Sequence, residues 1–216
     1  MRRHFDEQIA HLGEEMIAMG AMVERTIEDA CEALRLGDVV RARRIMEGDR
    51  EVDRKEREIE ALCLHLLLQQ QPVARDLRQI SSALKMITDM ERIGDQAADI
   101  SEIVTVMDLT QPRPEHFSAM AHAAVDMVHR AIDAYVRQDV VLARQVMDSD
   151  DVVDELFDQV KGDLAALLRE NAERSGSVLD MLMIAKYFER IGDHAVNIAE
   201  WVAYSVTGLY KGEELQ

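Results

Sequence analysis

Proline and aromatic residues are nearly missing from this chain: three prolines, and 4% Phe, Trp and Tyr, in 216 residues. With only ten glycines besides, little is left from which to build sheets or long loops, since strands draw on aromatic side chains and turns on Gly and Pro. Also missing is any run of 18 or more uncharged apolar residues, the length a spanning helix needs. The start, Met1-Arg2-Arg3-His4-Phe5-Asp6-Glu7, turns acidic where a secretion signal requires an apolar stretch, so the expected location is the cytoplasm. Cysteine is limited to Cys31 and Cys63, without CxxC spacing. Both fall inside helical patterns and read as buried free thiols rather than a disulfide or a metal site. Positive charge is short as well: 25 Lys and Arg against 42 Asp and Glu give a net charge of −17. That balance argues against a nucleic-acid partner, whose binding rests on neutralising phosphates, and leaves no basic face for anionic lipid. Arg41, Arg43 and Arg44 are the local exception and read as a solvated helix end rather than an anion site.

What the chain does contain is a duplication. Glu91-Arg92-Ile93-Gly94-Asp95 returns as Glu189-Arg190-Ile191-Gly192-Asp193, an offset of 98, and the match runs on through Ala97 and Ala195 to pair Asp99 with Asn197. Upstream, the stretch from Gly37 to Met46 aligns with that from Gln138 to Met147 at an offset of 101. The near-equal offsets indicate a tandem repeat. Each copy carries two acid pairs spaced i, i+4: Asp49 with Asp53 and Glu91 with Asp95 in the first, Asp150 with Asp154 and Glu189 with Asp193 in the second. Residues at that spacing share one helix face, a turn apart.

Hydrophobic periodicity supplies the helices. Ile9, Leu12, Met16, Met19, Val23, Ile27, Ala30 and Leu34 form an amphipathic stripe over 3–36, which Gly37-Asp38 stops before capping the next helix. A second helix is expected over 39–69, with Ile45, Val52, Ile59 and Leu66 at strict sevens. Pro72 begins a third, whose seam of Leu77, Ile80, Leu84 and Ile87 arrives on the same count at Glu91 and Gly94. Gln111-Pro112-Arg113-Pro114 is the linker, and helices over 115–137, 139–172 and 177–209 follow. The middle one of these carries Val146, Val153, Phe157, Val160, Leu164 and Leu167 around Asp150, and the last runs Leu179, Leu182, Lys186, Glu189 on one count. The fold expected is all-α: two tandem antiparallel three-helix bundles, 1–110 and 111–216. Most of the 13 methionines lie on these stripes and read as core filler.

Asp49 and Glu91 therefore stand where a bundle seam wants an apolar side chain. A single DxxxD is ordinarily a solvated face with salt bridges, for which Arg92 and Arg190 are at hand. Four pairs in register, each displacing a seam position, call for another account. Facing carboxylates about 4 Å apart repel by roughly 4 kcal/mol at an effective dielectric of about 20. Several such contacts rival a domain's stability of about 5–15 kcal/mol. A bound hard or borderline cation resolves the conflict, with protonation as the competing escape. Gly94 and Gly192, inside the pairs, cost helix propensity and point to a close approach.

Catalytic signatures are wanting. No nucleophile with a base, no Gly-rich phosphate loop and no HExxH is present, so the chain reads as a non-enzyme. A carboxylate-bridged di-metal oxidoreductase of ferritin type would use Glu-x-x-His, but none of the seven histidines lies three residues after a Glu. The stronger rival to a metal protein is a metal-free helical adaptor or scaffold.

The paired Glu-Arg-Ile-Gly-Asp segments, the Gln70-Gln71-Pro72-Val73-Ala74-Arg75-Asp76-Leu77-Arg78 run, and the pairs Asp49/Asp53 and Asp150/Asp154 resemble the PhoU family of bacterial phosphate signalling, over essentially the whole chain. The resemblance implies two three-helix bundles and multinuclear iron or zinc clusters on the acid pairs. It also implies a homodimer, and negative regulation of phosphate uptake and the phosphate-starvation response through the transporter ATPase subunit and a membrane sensor histidine kinase. The metal ligands it implies are Asp49, Asp53, Glu91, Asp95, Asp150, Asp154, Glu189 and Asp193, with Asp99 and Asn197 as weaker candidates. Gln96 stands where the family often has His, as at His194, and Asp99 where it often has Asn, as at Asn197. No membrane segment or second domain accompanies these repeats, which favours a stand-alone regulator over a transporter fusion.

Overall fold

The computed structural model describes residues 2–69, 72–111, 113–114, 116–210 and 213–214. Gln70 and Gln71 of the family-like run and Pro112 of the linker lie outside the described residues. Three helices make the first repeat: α1 (Arg2–Leu36), α2 (Val39–Gln69) and α3 (Ala74–Val106). The second is α4 (Phe117–Arg137), α5 (Val140–Asp148), α6 (Asp150–Glu170) and α7 (Ser175–Thr207), with a single 3₁₀ turn at Ala172–Arg174 before α7 and a two-stranded hairpin, β1 (Leu209–Tyr210) and β2 (Glu213–Glu214), after it. Among the described residues no helix is long and apolar enough to cross a membrane.

Both repeats turn their first corner in the same way. Gly37 and Gln138 each adopt left-handed backbone, φ 67° and 53°, which ends the incoming helix. The aspartate that follows caps the next one: Arg41 N donates to Asp38 Oδ1 at 2.9 Å, and Val141 N and Leu142 N donate to Asp139 Oδ1 at 2.9 and 3.0 Å.

The expected single helix over 139–172 is broken at Ser149. Its hydroxyl donates back to Gln145 O at 2.7 Å and accepts from Arg130 Nη1 at 3.1 Å, while its amide bonds Val146 O, a tighter i−3 step. Back-bonding by a serine bends a helix, and the side bond to α4 fixes the bend. The break leaves Asp150 and Asp151 in the first turn of α6, where the helix dipole favours acids. α2 runs unbroken through the corresponding Gly48 and Asp49.

The core forms as the stripes predict, with Met16, Met19, Val23, Ile27, Val52, Ile59, Leu66, Ile80 and Ile87 buried. Leu77 and Leu179 do not join it; they are exposed near the starts of α3 and α7. There the seam is carried instead by Ile80 and Ala83 in α3 and by Val178 and Met181 in α7. The two repeats share one core, with α3 packed against α7 and α1 against α4. His129 of α4 reaches Glu24 and Glu28 of α1 at 3.0 and 3.1 Å along that second seam. Hydrogen bonding of Asp89 with His194 and Asn197, and the nearness of Asp99 to Tyr187, mark α3 and α7 as antiparallel neighbours.

Candidate metal centre

In the first repeat α2 supplies Asp49 and Asp53, and α3 supplies Glu91, Asp95 and Asp99. On α2 the buried seam alternates Ile45, Val52, Ile59 with Ala42 and Cys63, and the interleaved positions 49 and 56 hold Asp49 and Glu56. Opposite them, a Cβ added at Gly94 would lie 3.2 Å from Val52 Cγ1. The glycine thus lets α3 approach α2 closely enough for their acids to meet. One carboxylate oxygen from each of Asp49, Asp53 and Asp95 lies within 4.8 Å of the other two. Burial, and then the charges of Asp95, Asp53 and Asp99, push the Asp49 carboxyl above its usual range. Glu91 is raised by burial and by Asp95, with Arg92 opposing. Asp99 is raised by burial, Asp95 and Glu102 against the Tyr187 hydroxyl and Arg190. The counter-charges are weak: Arg57 reaches Asp53 and Arg92 reaches Asp95, each at 3.2 Å, but both arginines are mostly exposed.

Glu56 belongs to the same group, although the i, i+4 pairs do not include it. It contributes to raising Glu91, and its own carboxyl is raised, by burial first and then by Glu60. The heptad count that singles out Asp49 reaches Glu56 one heptad later.

The second repeat places Asp150, Asp154, Glu189 and Asp193 around one another less tightly. Burial, then Asp154, Asp193, Asp151 and Glu189, push Asp150 up to about 6. Among the described residues no three of these acids converge as the first set does, and Asp154 and Asp193 are exposed. The difference has a local cause. Glu189 is held by Lys186, which stands where the first repeat has Thr88, and Phe157, with Lys161 and Lys186 over its ring at 4.8 and 5.6 Å, replaces Glu56. Of the weaker candidates, Asn197 goes elsewhere, donating to Asp89 at 3.0 Å beside His194, whose Nδ1 is 2.9 Å from the same oxygen, while Asp99 lies between the first-repeat acids, whose charges it feels and adds to, and Tyr187.

The PhoU domain profile matches this chain twice, at residues 16–104 and 117–202. The chain belongs to the PhoU family. A Burkholderia phosphate-specific transport system accessory protein PhoU homolog is 35% identical over 94% of this chain and 89% of its own, and the PhoU of Escherichia coli K12 is 31% identical over 94% and 86%. The crystal structure of PhoU from Pseudomonas aeruginosa superposes with a TM-score of 0.89 at 32% identity, covering 95% of this chain and all 100% of that one. The phosphate transport system regulatory protein PhoU from Streptococcus pneumoniae gives 0.89 at 25% identity, covering 95% and 98%.

For a PhoU-family chain the donor set can be tested against a cation. Oxygens bound to one ion at about 2.0–2.6 Å are separated by no more than roughly 4–5 Å, and the Asp49–Asp53–Asp95 oxygens fall inside that span at 4.8 Å or less. All three are carboxylates, a donor chemistry for hard or borderline metals. Asp49, Asp53 and Asp95 therefore fit such an ion, Glu91 lies outside that converging set, and the second-repeat acids would have to draw in.

Proposed function

We propose that this PhoU-family chain is a metal-binding, non-enzymatic regulator of phosphate uptake and of the phosphate-starvation response. In this reading it is cytoplasmic, and its two repeats, 1–110 and 111–216, each hold an iron or zinc cluster on their acid pairs. It works as a homodimer through protein contacts with the phosphate transporter's ATPase subunit and a membrane sensor histidine kinase. The relatives' names, as accessory and regulatory proteins of phosphate transport, support the regulatory role. The observation that carries the metal is the convergence of three half-buried carboxylates from two helices at a seam. Packing wants leucine there, and mutual repulsion opposes the fold unless a cation neutralises it.

Elemental analysis of protein purified without chelator or a metal-affinity tag tests this. Iron or zinc at one or more ions per chain is expected. Its absence would leave a metal-free helical adaptor. Capture from phosphate-replete cells, expected to recover the transporter ATPase or the sensor kinase, tests the partners separately.

A further inference from the structure

Between α1 and α2 lies a groove lined by three arginines, in a chain where acids outnumber bases 42 to 25. Arg25 comes from α1, and Arg41 and Arg44 come from the first turns of α2; with Met22, Ile45 and Gly48 they line a hollow of about 400 Å³. The arginines are differently employed. Arg41 is fixed by Asp29 at 3.5 Å and by Asp38 at 3.7 Å, while Arg25 and Arg44 have no ion pair or hydrogen bond among the described residues. Glu51 also lines the groove, so one acid remains to set against two free guanidinium groups.

Gly48 lines the same groove. It sits in the interior of α2, where glycine weakens a helix, yet nothing lies within 4 Å of where its Cβ would stand. No packing inside the protein calls for a glycine there, in contrast to Gly94 against Val52. Gly13 and Gly162 are open in the same way inside their helices, so what Gly48 contributes is a stretch of α2 backbone left bare on the groove. Duplication does not account for the feature either. The second repeat has Leu142, Gln145 and Ser149 where the first has Arg41, Arg44 and Gly48, so the basic groove belongs to one repeat only.

We propose that this groove is a phosphoryl-oxyanion site, with Arg41 held in place as an anchor and Arg25 and Arg44 closing on the anion. Guanidinium groups present planar forks that match phosphate oxygens two at a time, and Gly48 leaves the backbone bare for the approach. The oxyanion is either free phosphate or a phosphoryl group on an organic body, which Met22 and Ile45 would cover. This site is separate from the acid centres and does not rest on their holding metal.

Calorimetric titration of the full chain, kept in chelator at fixed ionic strength, with inorganic phosphate and with phenyl phosphate, tests the assignment. Saturable binding is expected, weakened about tenfold or more by Arg25→Gln with Arg44→Gln, as loss of charge-assisted bonds requires. Gly48→Ala should weaken binding while raising the melting temperature. Asp49→Asn with Asp95→Asn should leave it in place. Tighter binding of phenyl phosphate assigns the organic form, and equal or weaker binding the free ion. Absence of saturable binding for both probes, or binding that the arginine pair of substitutions does not weaken, would overturn the proposal.

Discussion

Asp89 of α3 accepts a hydrogen bond from Asn197 of α7 at 3.0 Å, and the same two sequence positions meet again with the repeats exchanged. The counterpart of Asp89 is Tyr187 and that of Asn197 is Asp99, an offset of 98 in each case, and the Tyr187 hydroxyl and the Asp99 carboxylate face each other closely enough to shift one another's proton affinity. A pairing that maps onto itself in this way is the signature of a local two-fold relation, here between two repeats of one chain. The side chains at the two ends have diverged, the carboxylate standing at the first of the two positions in one pairing and at the second in the other. The seam between repeats is therefore polar on this edge and specific in register.

Removing Asp89 leaves His194 Nδ1 and the Asn197 amide unpaired in a half-buried position. Asp89→Ala is expected to lower stability by about 1–3 kcal/mol, the cost of stranding buried polar partners. Asp89→Asn, which keeps an acceptor, should cost less. Thermal melts of the two variants check the order. Equal effects would show that the seam depends on bulk rather than on the acceptor.

Glu91→Ala with Asp95→Ala takes one of the three converging carboxylates and its raised neighbour from the first centre. Metal content should fall by the share of the first repeat alone, read by elemental analysis. Relief of repulsion offsets lost coordination, so the melting temperature should move only modestly in either direction. Content falling to zero would mean that ligands are shared between repeats or subunits, and unchanged content that these carboxylates hold no metal.

The helices and the acid positions were legible because both depend on period. Ile45, Val52, Ile59 and Leu66 recur at sevens and are buried, and Asp49 stands out against that count. What was not legible depends on contacts between distant segments. The break at Ser149 arises from a hydroxyl shared between α5 and Arg130 of α4. The role of Asp89, which meets His194 and Asn197 of another helix, likewise needs partners that no spacing announces, whereas Lys186 and Glu189 stand three apart on α7 and that pair was legible. Arg41, Arg43 and Arg44, read as a solvated helix end, are half-buried to exposed, and Arg25 joins Arg41 and Arg44 along one groove only through the packing of another helix.

Asp150 offers a pH test of the second centre. Its carboxyl titrates at about 6 in the folded protein against 3.8 as the ordinary value, first through burial and then through Asp154 and Asp193. The folded state therefore binds the proton more tightly than the unfolded one, and ionising Asp150 costs stability as pH rises from about 3.8 to about 6. The cost is absent below that window and complete above it. In chelator, Asp150→Asn should stabilise the protein at pH 7 by about 1 kcal/mol, allowing for solvent screening. The gain should vanish near pH 4. Denaturant titrations at the two pH values measure it, and a gain independent of pH would assign it to packing instead.

The two motif glycines, alike in sequence, should answer differently to alanine. At Gly94 the added carbon would stand 3.2 Å from Val52 Cγ1, and Val52 is a buried seam residue with little room to retreat. At Gly192 the nearest atom, Val153 Cγ1, is 3.5 Å away, an ordinary contact. Alanine improves the helix by roughly 1 kcal/mol at either position. Overpacking a core costs about 1–3 kcal/mol, and that applies at Gly94 alone. Gly192→Ala is therefore expected to be neutral or stabilising, and Gly94→Ala less stable than it by about 1 kcal/mol or more. Because the intruding methyl would part α2 from α3, Gly94→Ala should also weaken metal binding by the first repeat, while Gly192→Ala leaves it unaltered. Melting curves with and without added metal read both effects. Matching behaviour of the two variants would show that the close approach of α2 and α3 is not what brings Asp49 and Asp95 together.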